Sequence, residues 1–85
     1  MSQEVKAQIR QVLSDHARLP VAVDQLDDHA DLFGAGMSSH ASVNVMLALE
    51  DRFDIEFPDQ MLTRSVFESV AGIAAAIEQL QAGVV

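Results

Sequence analysis

The 85-residue chain is long enough for one domain and too short for two. It contains no cysteine, which excludes disulfides, thiolate metal sites and a cysteine nucleophile. The formal net charge of −8 argues against nucleic acid and anionic membrane surfaces as partners, and it predicts partners with basic patches. No apolar run approaches the roughly 18 residues of a membrane span. No signal-peptide pattern opens the chain, so we expect a cytoplasmic protein.

The first predicted element is a helix over residues 2–17, followed by a long loop over residues 18–37. Apolar residues recur along the first segment at the spacing of one helix face, at Val5, Ile9, Val12 and Leu13. The residue before Pro20 avoids helical backbone, so the helix stops there. Proline, two glycines and clustered acids then interrupt any regular pattern. One helical turn at residues 31–33 is compatible with this loop.

A second helix is predicted from about residue 38 to residue 53, with Ser38 or Ser39 as its cap. Its core stripe consists of Met46, Leu49 and Phe53, with Val45 at one edge. Val43 and Leu47 widen the apolar arc beyond what a simple core-facing stripe requires. Either this helix is central and deeply buried, or the flank of Val43 and Leu47 meets a partner.

The last part of the chain predicts a short helix over residues 59–64 and a final long helix. Pro58 opens the short helix, Ser69 caps the final one, and Gly83 ends it. Apolar residues repeat at helical spacing after Ser69, at Val70, Ile73, Ala74, Ile77 and Leu80. No strand pattern appears. We therefore predict an all-α protein: a single domain over residues 1–85, a small antiparallel bundle of three main helices and one short helix, and a monomer.

The serine pair Ser38 and Ser39 lies between a glycine-containing turn and the start of the second helix. A helix N-terminus carries a positive partial charge and free N–H groups, which favour a phosphate group. A serine hydroxyl there is well placed to hold a phosphodiester. The alternative interpretation is that both serines are only caps or turn residues.

Two stretches around this pair resemble a known family. Residues 31–40 read Asp-Leu-Phe-Gly-Ala-Gly-Met-Ser-Ser-His, which is similar to the Asp-Leu-Gly-x-Asp-Ser-Leu region of acyl carrier proteins. Residues 43–59 resemble the second helix and following loop of that family, with Leu-Glu, then Phe-Asp, then an acidic-apolar-Pro-Asp turn. The resemblance implies that Ser39 is the modified serine. Ser38 takes the place of the usual aspartate and His40 that of the usual leucine.

The resemblance also implies a mechanism. A phosphopantetheinyl transferase moves the 4'-phosphopantetheine arm from coenzyme A to Ser39, and the thiol of the arm then holds an acyl or aminoacyl group as a thioester. The protein itself does not catalyse; it presents its cargo to ligases or synthases. Ala41 and Asn44 stand where many fatty-acid carriers have acids. The chain therefore looks more like specialised carriers, among them aminoacyl carrier proteins charged by stand-alone amino acid ligases related to tRNA synthetases.

Partner docking is predicted on the second helix and the turn after it. An apolar strip beside a polar edge suits a protein interface. The predicted docking residues are His40, Val43, Asn44, Leu47, Glu50, Asp51, Asp54 and Glu56. We expect charge reversal at Glu50 and Asp51 to weaken docking without unfolding the chain. We also expect substitutions at His40, Ala41 and Asn44 to behave as exposed ones.

The sequence disfavours three other functions and leaves a fourth open. Catalysis by the histidines is disfavoured: His16, near a helix C-terminus, and His29, in the acidic loop, are expected to face solvent or, for His16, the helix dipole, and His40 follows Ser39 directly, where adjacent helical residues do not face each other. The acidic loop lacks the spacing of a calcium loop, so no metal site is expected. A serine hydrolase would need a Gly-x-Ser-x-Gly elbow, which is absent. An unmodified acidic helical adaptor that binds basic partners stays open as the alternative.

Overall fold

The computed structural model describes residues 2–82 and contains helices but no strand within that range. The helices are α1 (Ser2–His16), α2 (Ser39–Phe53), α3 (Arg64–Phe67) and α4 (Val70–Gln81). Two short 3₁₀ turns lie between them, at Val23–Gln25 and Asp59–Met61. The predicted all-α class, with a long first loop and one short helix, is confirmed. None of the helices in the described range is long and apolar enough to cross a membrane.

The three long helices enclose an aliphatic core, with α1 packed against both α2 and α4. The side chains that the core buries most completely are Ile9, Leu13, Leu32, Val45, Leu49, Val70, Ile73 and Ile77. Burial of such side chains contributes about 1.5–3 kcal/mol each relative to full exposure. The faces predicted from α1 and α4 periodicity are the faces that point inward.

The first loop is fastened to the bundle by basic residues of α1. Arg10 donates one hydrogen bond to the carbonyl of Val23 at 2.7 Å and another to the Asp28 carboxylate at 2.6 Å. Lys6 donates to the same carboxylate at 3.0 Å. Ala71 N–H at the start of α4 donates to the Asp28 carbonyl at 2.9 Å. The Lys6 ammonium and the Arg10 guanidinium together hold the pKa of Asp28 below its ordinary value of 3.8.

The end of this loop forms the single helical turn that the sequence allowed. Ala35 N–H donates to the carbonyl of Asp31 at 2.9 Å, and Leu32 N–H donates to the backbone carbonyl of Glu68, far along the chain, at 2.7 Å. Gly36 has a φ of +123°, and a Cβ at this position would lie 2.8 Å from a ring carbon of Pro20. A side chain at Gly36 would therefore be strained by both its backbone and its neighbour. This turn fixes how the chain enters α2.

The short helix was predicted over residues 59–64, and this placement is wrong. The chain makes a 3₁₀ turn at Asp59–Met61, leaves helical geometry at Leu62 with φ −86° and ψ 62°, and starts α3 only at Arg64. The reason lies in long-range packing: Phe57 and Phe67 are both buried and meet edge to face, with ring centroids 5.3 Å apart. The predicted end of the last helix at Gly83 lies outside the described residues.

Candidate functional site

The two serines at the start of α2 have different roles in the structure. Ser38 is the N-cap: its backbone is extended, and its hydroxyl accepts a hydrogen bond from Ala41 N–H at 3.0 Å. Ser39 is the first residue of the helix and is exposed. Its carbonyl accepts a bond from the Ser42 hydroxyl at 2.6 Å, but its own hydroxyl takes part in none of the side-chain hydrogen bonds among residues 2–82. The Ser39 hydroxyl is therefore free to carry a covalent group.

The backbone around Ser39 leaves donors available to an anion. The first hydrogen bond within the helix runs from Ser42 N–H to the carbonyl of Ser38, at 3.0 Å. The amides of Ser39 and His40 precede that bond, and helix geometry gives such amides no partner inside the helix. These two N–H groups and the positive end of the helix dipole favour a phosphate attached at this position.

A groove of about 220 Å³ opens beside Ser39, between α2 and the segment that leads into α3. Its lining is mostly apolar and consists of Phe33, Ser39, Ser42, Val43, Met46, Leu62, Thr63, Arg64 and Phe67. Arg64 lies over the ring of Phe33, with its guanidinium carbon 4.4 Å from the ring centroid. No pattern in the sequence indicated that either of these two residues belongs to the site. They are 31 positions apart, and no local pattern joins them.

The flank of α2 that was predicted to meet a partner is exposed. Val43 is 50% and Leu47 is 53% exposed, and the neighbouring His40 and Asn44 are exposed as well. This excludes the alternative in which α2 is deeply buried all round. Two apolar side chains of this size on the surface, beside polar neighbours, match the composition of a docking surface. Docking by these four residues stays a prediction.

Only three of the four predicted docking acids are exposed. Asp51, Asp54 and Glu56 are in solvent, whereas Glu50 is half-buried and accepts a hydrogen bond from the backbone N–H of Phe57 at 2.8 Å. The Glu50 carbonyl also accepts a bond from Ile55 N–H at 3.1 Å. Glu50 therefore ties the chain after α2 to the helix end. Reversal of Glu50 would remove this acceptor and lower the stability of the fold as well as any docking, so Asp51 is the better position for that test; that the double reversal leaves the chain folded stays a prediction.

Ala41 is also not the exposed position that the sequence analysis expected. It is 6% exposed and lies in line with Val45 and Leu49 on the core face of α2. The spacing of these residues by four was the signal for its burial. An acid at position 41 would have to be desolvated or displace the helix, so only His40 and Asn44 are suitable for surface substitution here.

The histidines do not assemble into a catalytic or metal site. His16, His29 and His40 are all exposed, and each belongs to a different part of the fold. Among residues 2–82 no group of three metal-ligating side chains stands together. What the structure brings together near α2 is a free hydroxyl, helix-end amides, a small groove and an exposed apolar flank.

Comparison with known proteins agrees with this arrangement. Residues 4–77 match the family model described as the phosphopantetheine attachment site. The chain is 44% identical over 79 residues to an aminoacyl carrier protein of Agrobacterium fabrum, which covers 93% of this chain and 95% of that protein. It is 36% identical over 59 residues to a D-alanyl carrier protein of Lactobacillus helveticus, covering 68% of this chain and 72% of that one.

Solved structures show the same likeness. One is a crystal structure of an engineered Bradyrhizobium japonicum glycine:[carrier protein] ligase complexed with carrier protein from Agrobacterium tumefaciens and ATP; the matching chain has a TM-score of 0.84 and 46% identity, with 87% of this chain and 96% of that chain covered. A solution structure of an Agrobacterium tumefaciens protein matches with a TM-score of 0.75 and 45% identity, covering 92% and 94%. The chain belongs to the family of carrier proteins that bear the phosphopantetheine attachment site.

Proposed function

We propose that this protein is an aminoacyl carrier that holds its cargo on a 4'-phosphopantetheine arm attached to Ser39. The observation that carries the assignment is the difference between the two serines. The Ser38 hydroxyl is occupied as the helix cap, whereas the Ser39 hydroxyl is exposed and forms no side-chain hydrogen bond within the described range. Attachment at Ser39 would break no side-chain hydrogen bond within residues 2–82, whereas attachment at Ser38 would remove the cap from α2.

The residues present fit such an arm. When attached, the arm supplies a terminal thiol that holds acyl or aminoacyl groups as thioesters, which suits a chain without cysteine. The chain's own part is to position the attachment. The amides of Ser39 and His40 and the helix dipole offset the phosphate charge, and the bond between Ser42 and the Ser39 carbonyl fixes the first turn.

The proposed role is presentation and not catalysis. A phosphopantetheinyl transferase supplies the arm from coenzyme A, and an amino acid:[carrier protein] ligase with a basic docking patch loads the thiol. The carrier acts as a cytoplasmic monomer. The similarity to carriers named for aminoacyl and D-alanyl groups supports this cargo class over fatty acyl chains. The absence of acids at His40 and Asn44 and the small size of the groove point in the same direction.

Mass spectrometry and a loading assay test the proposed function together. The chain is co-expressed with a broad-specificity transferase, and intact mass is expected to show one phosphopantetheine per molecule. The modified protein, ATP and an amino acid ligase are then incubated with individual amino acids. We expect a further mass gain that neutral hydroxylamine removes, as for a thioester, and no gain on the unmodified protein. A chain that never gains the arm would favour the unmodified acidic adaptor.

Docking through the acids after Ser39 is tested by charge reversal and salt. Asp51→Lys is suited to this because Asp51 is exposed and makes no side-chain hydrogen bond among residues 2–82. Complementary charge mainly raises the association rate, and salt screens it over about 10 Å at 0.1 M. We expect slower loading at low carrier concentration in Asp51→Lys and in wild type at high salt. Glu78→Lys, an equal charge change on an exposed residue of α4, is the control. Equal rates for all three proteins would show that the acids are only solvated.

A further inference from the structure

Arg64 is the basic residue of the groove beside Ser39. It is the first residue of α3 and lines the same cavity as Ser39, and no other lysine or arginine lines it. The chain has only five lysines and arginines against thirteen acids. In a chain this acidic, a basic side chain beside the proposed attachment serine is not what the composition leads us to expect.

Among the residues that the structure describes, no carboxylate forms a salt bridge with Arg64 that would explain its position. Within residues 2–82, the salt bridges are those of Lys6 and Arg10 with Asp28, which join α1 to the first loop. Arg64 instead stacks on Phe33, at 4.4 Å from the guanidinium carbon to the ring centroid. Its positive charge is thus left uncompensated by any carboxylate of the described chain.

The contact with Phe33 orients the guanidinium for binding an anion. The ring attracts the face of the cation through its quadrupole, at a distance well inside the range of cation–π contacts. A guanidinium held by its face keeps its N–H edge available, and that edge matches the oxygens of a phosphate bidentately. Phe33 is half-buried and packs on the core, so the platform itself is fixed.

We propose that Arg64 binds the phosphodiester of the arm on Ser39, and so holds the start of the arm along the groove between α2 and α3. This inference rests on the proposed function, because the phosphodiester exists only once Ser39 is modified. Ser39, at the start of α2, and Arg64 line the same groove, so the helix-end amides and the Arg64 guanidinium would both attract an anion attached there. Arg64 acts here as a positioning residue: it sets the direction in which the arm leaves the protein.

Nuclear magnetic resonance on the modified protein tests this contact directly. In wild type, we expect the side-chain Nε–H signal of Arg64 to move when the arm is added, and to return toward its starting position as NaCl is raised. The Arg52 signal is the internal control, since Arg52 is exposed at the far end of α2 and should not move.

The phosphorus signal of the arm provides the second readout, which a merely structural role of Arg64 would not move. We expect a changed ³¹P shift in Arg64→Gln, an unchanged one in Arg52→Gln, and partial recovery in Arg64→Lys, which keeps the charge but not the planar edge. Intact mass first establishes that each variant carries the arm. If neither wild type nor any variant acquires the arm, the proposed function is wrong, and this contact is wrong with it.

Two results would overturn the inference while leaving the proposed function standing. One is an Arg64 signal that does not move on modification of wild type at low salt; this needs no variant and holds even if Arg64→Gln folds poorly. The other is an Arg64 signal that moves only when the amino acid ligase is added. In that case Arg64 would belong to the partner interface and not to the arm.

Discussion

Glu50 and Asp51 are adjacent acids on α2 that the structure assigns to different roles, and truncating each in turn separates them. Glu50 accepts a hydrogen bond from Phe57 N–H at 2.8 Å, and Asp51 is exposed. Glu50→Ala removes the acceptor and leaves the Phe57 N–H without its hydrogen bond. The ring of the same Phe57 is buried and meets Phe67 edge to face. Asp51→Ala also removes one negative charge and also places an alanine in α2, so the two variants differ mainly in the hydrogen bond that Glu50 makes.

The magnitude follows from the kind of bond that is lost. A hydrogen bond to a charged group contributes about 1.5–3 kcal/mol to the free energy of unfolding. Because Glu50 is only half-buried, we expect Glu50→Ala to lose the lower value, about 1.5 kcal/mol. For a domain of this size, that loss lowers Tm by about 6–12 °C. Asp51→Ala should stay within about 0.5 kcal/mol of wild type, as exposed substitutions do. Glu50→Gln keeps an acceptor oxygen and should recover part of the loss.

Urea and thermal unfolding of the unmodified proteins, followed by circular dichroism, measure these differences. The expected order of stability is wild type and Asp51→Ala together, then Glu50→Gln, then Glu50→Ala. Equal stabilities for Glu50→Ala and Asp51→Ala would refute the structural role of Glu50. Glu50 would then return to the set of free docking acids, and its reversal would become a clean test of docking.

Three further outcomes are expected. Ser38→Ala should lose about 1 kcal/mol of stability through the missing cap, whereas Ser39→Ala should unfold like wild type; equal losses would contradict the assignment of the cap. The pKa of Asp28 is lower in the folded protein than its ordinary value of 3.8, so the ionised carboxylate stabilises the fold. This stabilisation is present above about pH 3.8 and is lost as the pH falls through the pKa of Asp28 in the folded protein. Urea unfolding from pH 7 to pH 3 should therefore show a steeper acid loss in wild type than in Asp28→Asn; parallel curves would exclude this linkage. Finally, a His40→Leu, Asn44→Glu double variant should be used better by fatty-acid synthase enzymes than wild type, with nearly unchanged Tm; equal use would remove these positions from partner choice.

The helical bundle was predictable because its signals are local. The repeats around Ile9 and Ile73 fix the inward faces of α1 and α4, and a serine before each of α2 and α4 marks the start of the helix. Ser39 could be proposed because its motif is contiguous. The burial of Ala41 was also predictable, because Ala41 lies four residues before Val45 on the same helix face. The predicted core stripe was instead centred on Met46, Leu49 and Phe53.

The features that were missed are contacts between distant segments. The bond from Phe57 to Glu50 depends on how the chain folds back after α2, and the stacking of Arg64 on Phe33 joins the first loop to α3. The break at Leu62, which moves α3 to Arg64, follows from the packing of Phe57 against Phe67. No periodicity within a short window reports such contacts, so the groove beside Ser39 could not be predicted from the sequence.

Tandem mass spectrometry of the modified protein tests most directly whether Ser39 carries the arm. Trypsin cleaves after Arg18 and Arg52, which leaves Ser38, Ser39 and Ser42 in one peptide, so the fragment ions must resolve the position. We expect phosphopantetheine on Ser39, kept in Ser38→Ala and lost in Ser39→Ala. An arm found on Ser38 or Ser42, or modification that persists in Ser39→Ala, would contradict it.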